Sequence, residues 1–267
     1  MTKRTALVTG ASSGIGKAVA EALLGRGYRV IGTSRDPERM AASARVPGVE
    51  YLPLDLTDEA SIVACAEAAG AVDVLVNNAG ESQLGALEEL PMDALRRLFE
   101  LNVFGAVRLT QLVLPGMRER RRGRVVMVGS MLASFPLAFR SSYVASKAAV
   151  KAFALASRRE LSPYGVWLIT VEPGAINTGI SERRTRYQAE GSPYADDYRA
   201  VSTRLDANET VGIAAEKVAA TVLGAIEAAS PKPFYAVGSR APLVFALRRI
   251  LPRAAVERMV SRRHGLS

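Results

Sequence analysis

The stretch Thr5-Ala6-Leu7-Val8-Thr9-Gly10-Ala11-Ser12-Ser13-Gly14-Ile15-Gly16 decides how the chain is read. Its first residues form a short apolar run, as a buried strand needs. Gly14–Arg26 then carries Ile15, Val19, Ala22 and Leu23 at helical spacing. Between the two, glycines in a Gly-x3-Gly-x-Gly spacing let the backbone turn tightly and approach a pyrophosphate. That group would rest on the free N–H groups that open the helix. A glycine triplet alone is a weak signal, and its position between strand and helix gives it weight. A tight turn that holds nothing is the competing reading.

The same alternation runs outward from this point. Tyr28–Thr33, Val49–Leu54, Val72–Asn77, Arg124–Gly129, Val166–Val171 and Phe234–Val237 read as strands. Helices are expected near Thr57–Ala69, Pro91–Arg120, Ser141–Ser162 and Glu209–Ala229, with Pro91 in the first turn of its helix. Continuous apolar runs mark strands covered on both faces, hence a doubly wound parallel sheet between two helix layers, an α/β class of fold. The 267 residues suit a single domain, 1–267. Residues 174–208 break the pattern: they are polar, with Gly191 and Pro193, and read as a substrate lid, with disorder as the competitor. Residues 240–267 form a basic amphipathic extension that Pro252 would split into two helices.

Composition excludes several classes. The single cysteine, Cys65, rules out an internal disulfide and fits a reducing cytoplasm, while its helical surroundings suggest packing. The one histidine, His264, argues against a histidine zinc site or a Ser-His-Asp triad, and no metal is expected. The formal charge of +9 raises nucleic acid or a membrane as a partner. No interleaving of aromatic and basic residues and no zinc-knuckle spacing supports nucleic acid. No run reaches the roughly 18 apolar residues of a membrane span, and the N-terminus has no leader pattern. The C-terminal extension could rest on an anionic membrane, but packing beside the lid or a partner subunit is the favoured reading.

Near the end of the second strand, Ser34 and Arg35 leave room for a 2′-phosphate and supply a bidentate cation, which favours NADP(H). Asp36 next door could serve a ribose with a free 2′-OH, so NAD(H) stays open, and Arg35 could be a mere surface residue. Asp55 can accept a hydrogen bond from an adenine amino group, while Thr57 can cap the following helix with Asp58 and Glu59 in its first turn. In Asn77-Asn78-Ala79-Gly80 the amides can tie strand ends together and Gly80 can admit a cofactor. Tyr143-Val-Ala-Ser-Lys147 puts a phenol and an ammonium on one helix face. A free phenol, with a pKa of about 10, is a poor acid or base near neutrality, and a neighbouring ammonium favours its phenolate. Lys147 can also reach a nicotinamide ribose. Ser130, at the end of the fifth strand, can hold a substrate oxygen or simply cap a turn.

Taken together, Thr9–Gly16, Asp55, Asn77–Gly80, Ser130, Tyr143/Lys147 and Pro173-Gly174 with Thr178 resemble the short-chain dehydrogenase/reductase superfamily, in its compact single-domain branch. The resemblance runs from about Arg4 to Val237 and looks closest to hydroxysteroid-dehydrogenase-like members. It implies a Rossmann-type sheet of seven strands in a three-layer α/β/α sandwich, and a homodimer or homotetramer. It implies a catalytic tetrad of Asn102, Ser130, Tyr143 and Lys147, with Asn102 holding a relay water. The cofactor contacts implied are Gly10, Ser12, Ser13, Gly14, Ile15, Gly16, Ser34, Arg35, Asp55, Leu56, Asn78, Ala79, Gly80, Tyr143, Lys147, Pro173, Gly174, Ile176 and Thr178. Ser130, Leu132, Phe139 and Tyr143 would meet the substrate, a small-molecule ketone or secondary alcohol of bulky apolar character. Many NADP(H) members carry Arg or Lys where this chain has Ser13, so the cofactor preference leans on Arg35. Glu81 is either solvated or aimed at a polar substrate group. A silent cofactor-binding regulator is the rival from another class, and an intact tetrad argues against it.

Overall fold

The computed structural model describes residues 3–179 and 182–266. The central strands are β1 (Thr5–Val8), β2 (Arg29–Ser34), β3 (Glu50–Pro53), β4 (Val74–Asn77), β5 (Gly123–Val128), β6 (Val166–Pro173) and β7 (Phe234–Val237). They form one seven-stranded parallel sheet in the order β7-β6-β5-β4-β1-β2-β3. The helices are α1 (Gly14–Gly25), α2 (Glu59–Ala69), α3 (Met92–Phe99), α4 (Gly105–Glu119), α5 (Ser141–Leu161), α6 (Ala195–Thr210), α7 (Ala215–Glu227), α8 (Ala241–Ile250) and α9 (Arg253–Arg263).

Side chains alternate across a strand, so a sheet covered on both faces favours apolar residues at successive positions. Ala6–Val8 of β1 meet that need. Ala6 and Val8 face α1 and α7, among Val19, Leu23, Val218 and Val222. Leu7 faces the opposite layer, among Ile62 of α2, Leu109 and Val113 of α4, and Val150 of α5. Each such Leu or Val contributes roughly 1.5–3 kcal/mol by leaving water. With both faces sealed, the carboxyl edge of the sheet is the open side, and chain order reverses there between β1 and β4. Ligands of open parallel sheets bind at such a reversal.

Several local expectations are corrected. The helix expected over Pro91–Arg120 is two helices joined by a π-helical turn at Glu100–Phe104, and Pro91 precedes α3 as its N-cap. Just past this turn α4 packs closely on Leu56: a Cβ on Gly105 would sit 2.1 Å from the Leu56 carbonyl oxygen. Asp58, not Thr57, caps α2, accepting from the N–H groups of Ala60 and Ser61. Thr57 instead donates to Asp55. The segment read as a lid holds most of α6, which runs on to Thr210, so α7 starts at Ala215 and not near Glu209. Two short pairings, Gln83–Leu84 with Thr185–Arg186 and Ile176–Asn177 with Ile213–Ala214, anchor the chain ahead of that helix. Ile180 and Ser181 of the expected lid lie outside the described residues. Pro252 separates α8 from α9 as the sequence predicts.

Replacing Gly105 by Ala forces a shift between α4 and the Leu56 backbone. The expected loss is about 1–3 kcal/mol, read as a Tm lower by roughly 2–4 °C per kcal/mol in a thermal melt. An unchanged Tm would show that the turn at 100–104 absorbs the methyl group.

Candidate active site

The roots of the site are tied by one hydroxyl. Thr9, at the end of β1, accepts the N–H of Asn78 (2.9 Å) and of Ala79 (3.0 Å) on its Oγ1. Asn78 returns a bond from Nδ2 to the Thr9 carbonyl at 3.0 Å, so the loops after β1 and β4 hold each other. Asn77 points away and binds Thr110 inside the α4 layer. Gly10 and Gly14 have φ of +66° and +53°, which side chains rarely adopt. A Cβ on Gly16 would lie 2.2 Å from the Gly10 carbonyl oxygen, so Gly16 closes the turn from behind and does not line the cavity.

A cavity of about 720 Å³ opens above this edge. It is lined by Gly10, Ser12, Ser13, Gly14, Ile15, Ser34, Arg35, Asp55, Leu56, Asn78, Ala79 and Gly80, then by Ser130, Tyr143 and Lys147, and by Pro173, Gly174, Ile176 and Thr178. All the expected cofactor residues except Gly16 are therefore in one space.

Helix α5 brings the reactive groups together. Its turn spacing sets Tyr143 and Lys147 on one face, with the Lys147 ammonium 5.9 Å from the Tyr143 ring centre. Lys147 Nζ donates to the Val128 carbonyl at 3.0 Å, which aims the charge at the end of β5. Ser130 caps the short turn after β5 by accepting from Leu132 N–H at 3.2 Å. A hydroxyl has two lone pairs and one proton, so that proton is left to give to a ligand oxygen. Asn102 lies behind the cavity, on the π-helical turn. Its Nδ2 donates to the Glu81 carbonyl (3.0 Å) and to Ser146 (3.1 Å), and its Oδ1 accepts from Glu81 N–H (2.8 Å). A Cβ on Gly80 would come within 3.0 Å of Asn102 Oδ1 and 3.5 Å of Lys147 Nζ, so this turn, Asn102 and Lys147 are immediate neighbours.

Some placements differ from the sequence reading. Phe139 does not line the cavity; it packs edge-on to Tyr194 and Tyr198 against α6, beside Leu84 and Leu137. Leu132 does line it, with Met131 and Phe135. Glu81 lines the cavity and pairs with Arg97 at 2.6 Å. The sequence reading missed Arg140. Its guanidinium lies 4.3 Å from the Tyr143 ring centre, and its Nη1 donates to Ser82 at 3.0 Å. Burial pushes the Arg140 pKa down to about 10, against the pull of Tyr143, which still leaves it charged at neutrality. Three residues before Tyr143 is one helical turn, so the signal was present. Also missed was the C-terminal share of the wall: Val244, Met259, Val260, Arg263 and His264.

The adenosine end fits a phosphorylated ribose. Ser34 Oγ is buried with no hydrogen-bond partner among the described residues, and Arg35 lines the cavity beside it. Asp36, the rival for a free 2′-OH, is turned into its own loop, accepting from Glu38 and Arg39 N–H groups at 3.1 Å and pairing with Arg39. Asp55 is held below the usual carboxylate range by the Thr57 N–H and hydroxyl. Those bonds fall on one oxygen, Oδ1.

Comparison with known proteins agrees with this geometry. The short chain dehydrogenase family model matches residues 4–189. An NADPH-dependent 3-dehydrocapnine reductase of Ornithobacterium rhinotracheale is 33% identical, covering 96% of this chain and 95% of its own. A short-chain dehydrogenase from Streptomyces avermitilis superposes with a TM-score of 0.82 at 34% identity, over 100% of this chain and 99% of that one. Another from Burkholderia cenocepacia, solved in complex with NADP, gives 0.77 at 27% identity over 97% of both chains. The chain belongs to the short-chain dehydrogenase family. It is an oxidoreductase of the CH–OH/carbonyl couple that works with a nicotinamide dinucleotide.

Arg35→Ala removes the cation beside Ser34. A charge-assisted bond is worth about 1.5–3 kcal/mol, so NADPH should bind roughly ten- to a hundredfold more weakly. NADH binding should change little, as followed by nucleotide fluorescence. Equal weakening of both would place Arg35 outside the phosphate contact.

Proposed function

We infer that this protein reduces a bulky, apolar ketone to a secondary alcohol, reversibly, with Tyr143 as proton donor and acceptor. One observation carries the reading: the phosphate-side loop, the Tyr143/Lys147/Ser130 group and an apolar end share a single cavity. The apolar end is formed by Met131, Leu132, Phe135, Leu205, Val244, Met259 and Val260. Apolar linings with a few polar groups suit a bulky hydrophobic ligand oriented at one functional atom.

The cofactor is NADP(H), and when bound it supplies a hydride to the carbonyl carbon or takes one from the alcohol. The fit of Ser34 and Arg35 and the NADPH dependence of the Ornithobacterium reductase support this choice. Ser130 gives its free proton to the substrate oxygen and so fixes where that oxygen sits. Tyr143 delivers its phenolic proton to the same oxygen as negative charge develops there. Lys147 places a positive charge beside the phenol and favours the phenolate left behind. Asn102 acts as a positioning residue, pinning the Gly80–Glu81 turn to α5 through Ser146. Arg140 covers one face of the Tyr143 ring and excludes water there. Residues 174–208, through α6, would cover the cavity mouth, and the working assembly would be a homodimer or homotetramer.

The test is NADPH consumption against steroid-like, aromatic and short aliphatic ketones. Turnover is expected with the bulky ketones, and Tyr143→Phe should lower kcat by about 10²–10⁴ while NADPH binding is kept. If both proteins bind NADPH and neither turns over any ketone, nor the matching alcohol with NADP+, the reading fails. A binding protein without turnover would then stand in its place.

A further inference from the structure

We propose that the outer face of α8, with the arginines of α8 and α9, docks the protein on an anionic lipid surface beside the cavity mouth. Helix α8 is apolar on two sides. Its inner side seats Phe245 edge-on between Phe135 and Phe234, with ring centres 5.0 Å apart in each pair, and Val244 lines the cavity. That side accounts for the fold. Leu243, Ala246 and Ile250 are spaced by three and four residues and share the opposite side. All three are exposed, Leu243 at 54% and Ile250 at 77%, and Leu251 and Met259 on the following segment are exposed too.

The charge around this ridge identifies its occupant. Residues 240–266 hold seven arginines and one glutamate, most of the chain's excess of +9. That glutamate, Glu257, is already paired with Arg253 at 2.8 Å. Arg240, Arg249, Arg258 and Arg262 are exposed, with Arg258 and Arg262 beside Met259 on α9. An apolar ridge bordered by arginines matches a bilayer interface, where acyl chains take the ridge and anionic headgroups take the guanidiniums. Met259 lines the cavity and is itself 37% exposed, so the docked surface adjoins the apolar end of the site. A ketone dissolved in the bilayer would enter from there, a consequence that rests on the reductase reading, whereas the docking does not.

The full-length protein is sedimented with vesicles of phosphatidylglycerol and phosphatidylcholine in equal parts, and with phosphatidylcholine alone. Leu243→Glu/Ile250→Glu and Arg249→Glu/Arg258→Glu are run in parallel, and NADPH turnover of a water-soluble ketone is measured on each. The wild type should pellet with the anionic vesicles at low salt, and high salt should release it as the Debye length shortens. Both double variants should lose roughly tenfold or more of the binding while keeping soluble turnover. A wild type that stays in solution with anionic vesicles, or variants that pellet equally, overturns the proposal. So does a wild-type oligomer that the Leu243→Glu/Ile250→Glu variant splits without any vesicle binding, which would make the ridge a contact between copies. Soluble turnover reports on the reductase reading separately, so the two can fail independently.

Discussion

The hydroxyl of Thr9 holds together two loops that the fold drives apart. Parallel strands β1 and β4 are neighbours, yet the chain leaves them toward opposite faces of the sheet, which opens a crevice at their carboxyl ends. A crevice of that kind exposes backbone N–H groups, and those of Asn78 and Ala79 would be unpaired without Thr9 Oγ1. The reciprocal bond from Asn78 to the Thr9 carbonyl closes the arrangement. Because the roots are fixed, Gly10 to Gly14 can turn away and leave the N-terminus of α1 facing the cavity. Gly16 shows how little slack exists, since even a methyl group there would overlap the Gly10 carbonyl. The phosphate cradle thus follows from strand order, and the hydroxyl makes it rigid.

Helix α5 distributes its side chains among three tasks by spacing alone. Arg140, Tyr143 and Lys147 face the cavity. Ser146 turns to Asn102 and bonds the Tyr143 carbonyl as well, at 2.8 Å. One turn beyond Lys147, Lys151 pairs with the fully buried Glu172 at 2.8 Å and donates to Ser134 at 2.7 Å. Ser134 in turn donates to Glu172 at 3.0 Å. Burial raises the Glu172 pKa, against the pull of Lys151. Removing one partner of a buried pair commonly costs about 3–5 kcal/mol, because the other is left charged and dry. That network joins α5 to the turn after Ser130 and to the strand end before Pro173-Gly174. The three walls of the site are therefore tied to one another through these side chains.

What the sequence made legible was whatever repeats or sits at fixed spacing. Strands sealed on both faces give unbroken apolar runs, and a phenol and an ammonium four residues apart on a helix face one way. The π-helical turn after Phe99 was not legible, because apolar spacing alone does not distinguish a π turn from continued α-helix. Helix α6 was hidden for a different reason. Its buried residues Tyr198, Val201 and Leu205 do fall at helical spacing, but they are thinly set among Asp, Arg, Ser and Thr. Asp36 is drawn into its own loop by two backbone N–H groups and by Arg39, which composition cannot show. The resemblance put Phe139 at the substrate, whereas its ring packs on Tyr194 and Tyr198 at the start of α6.

Arg140 shows why a buried cation is tolerated here. Taking a guanidinium out of water is expensive, and none of the ion pairs formed among the described residues includes it. Its compensation is the hydroxyl of Ser82 and the face of Tyr143. A guanidinium is weakly hydrated and carries five donors, so it can sit over a ring and still donate to a neighbouring hydroxyl. The Arg140 cation stands over the phenol ring at 4.3 Å while Lys147 stands 5.9 Å from the ring centre. Charge that develops on the phenol in the proposed reaction would then be met by two cations held in dry surroundings, where each acts more strongly than it would in water.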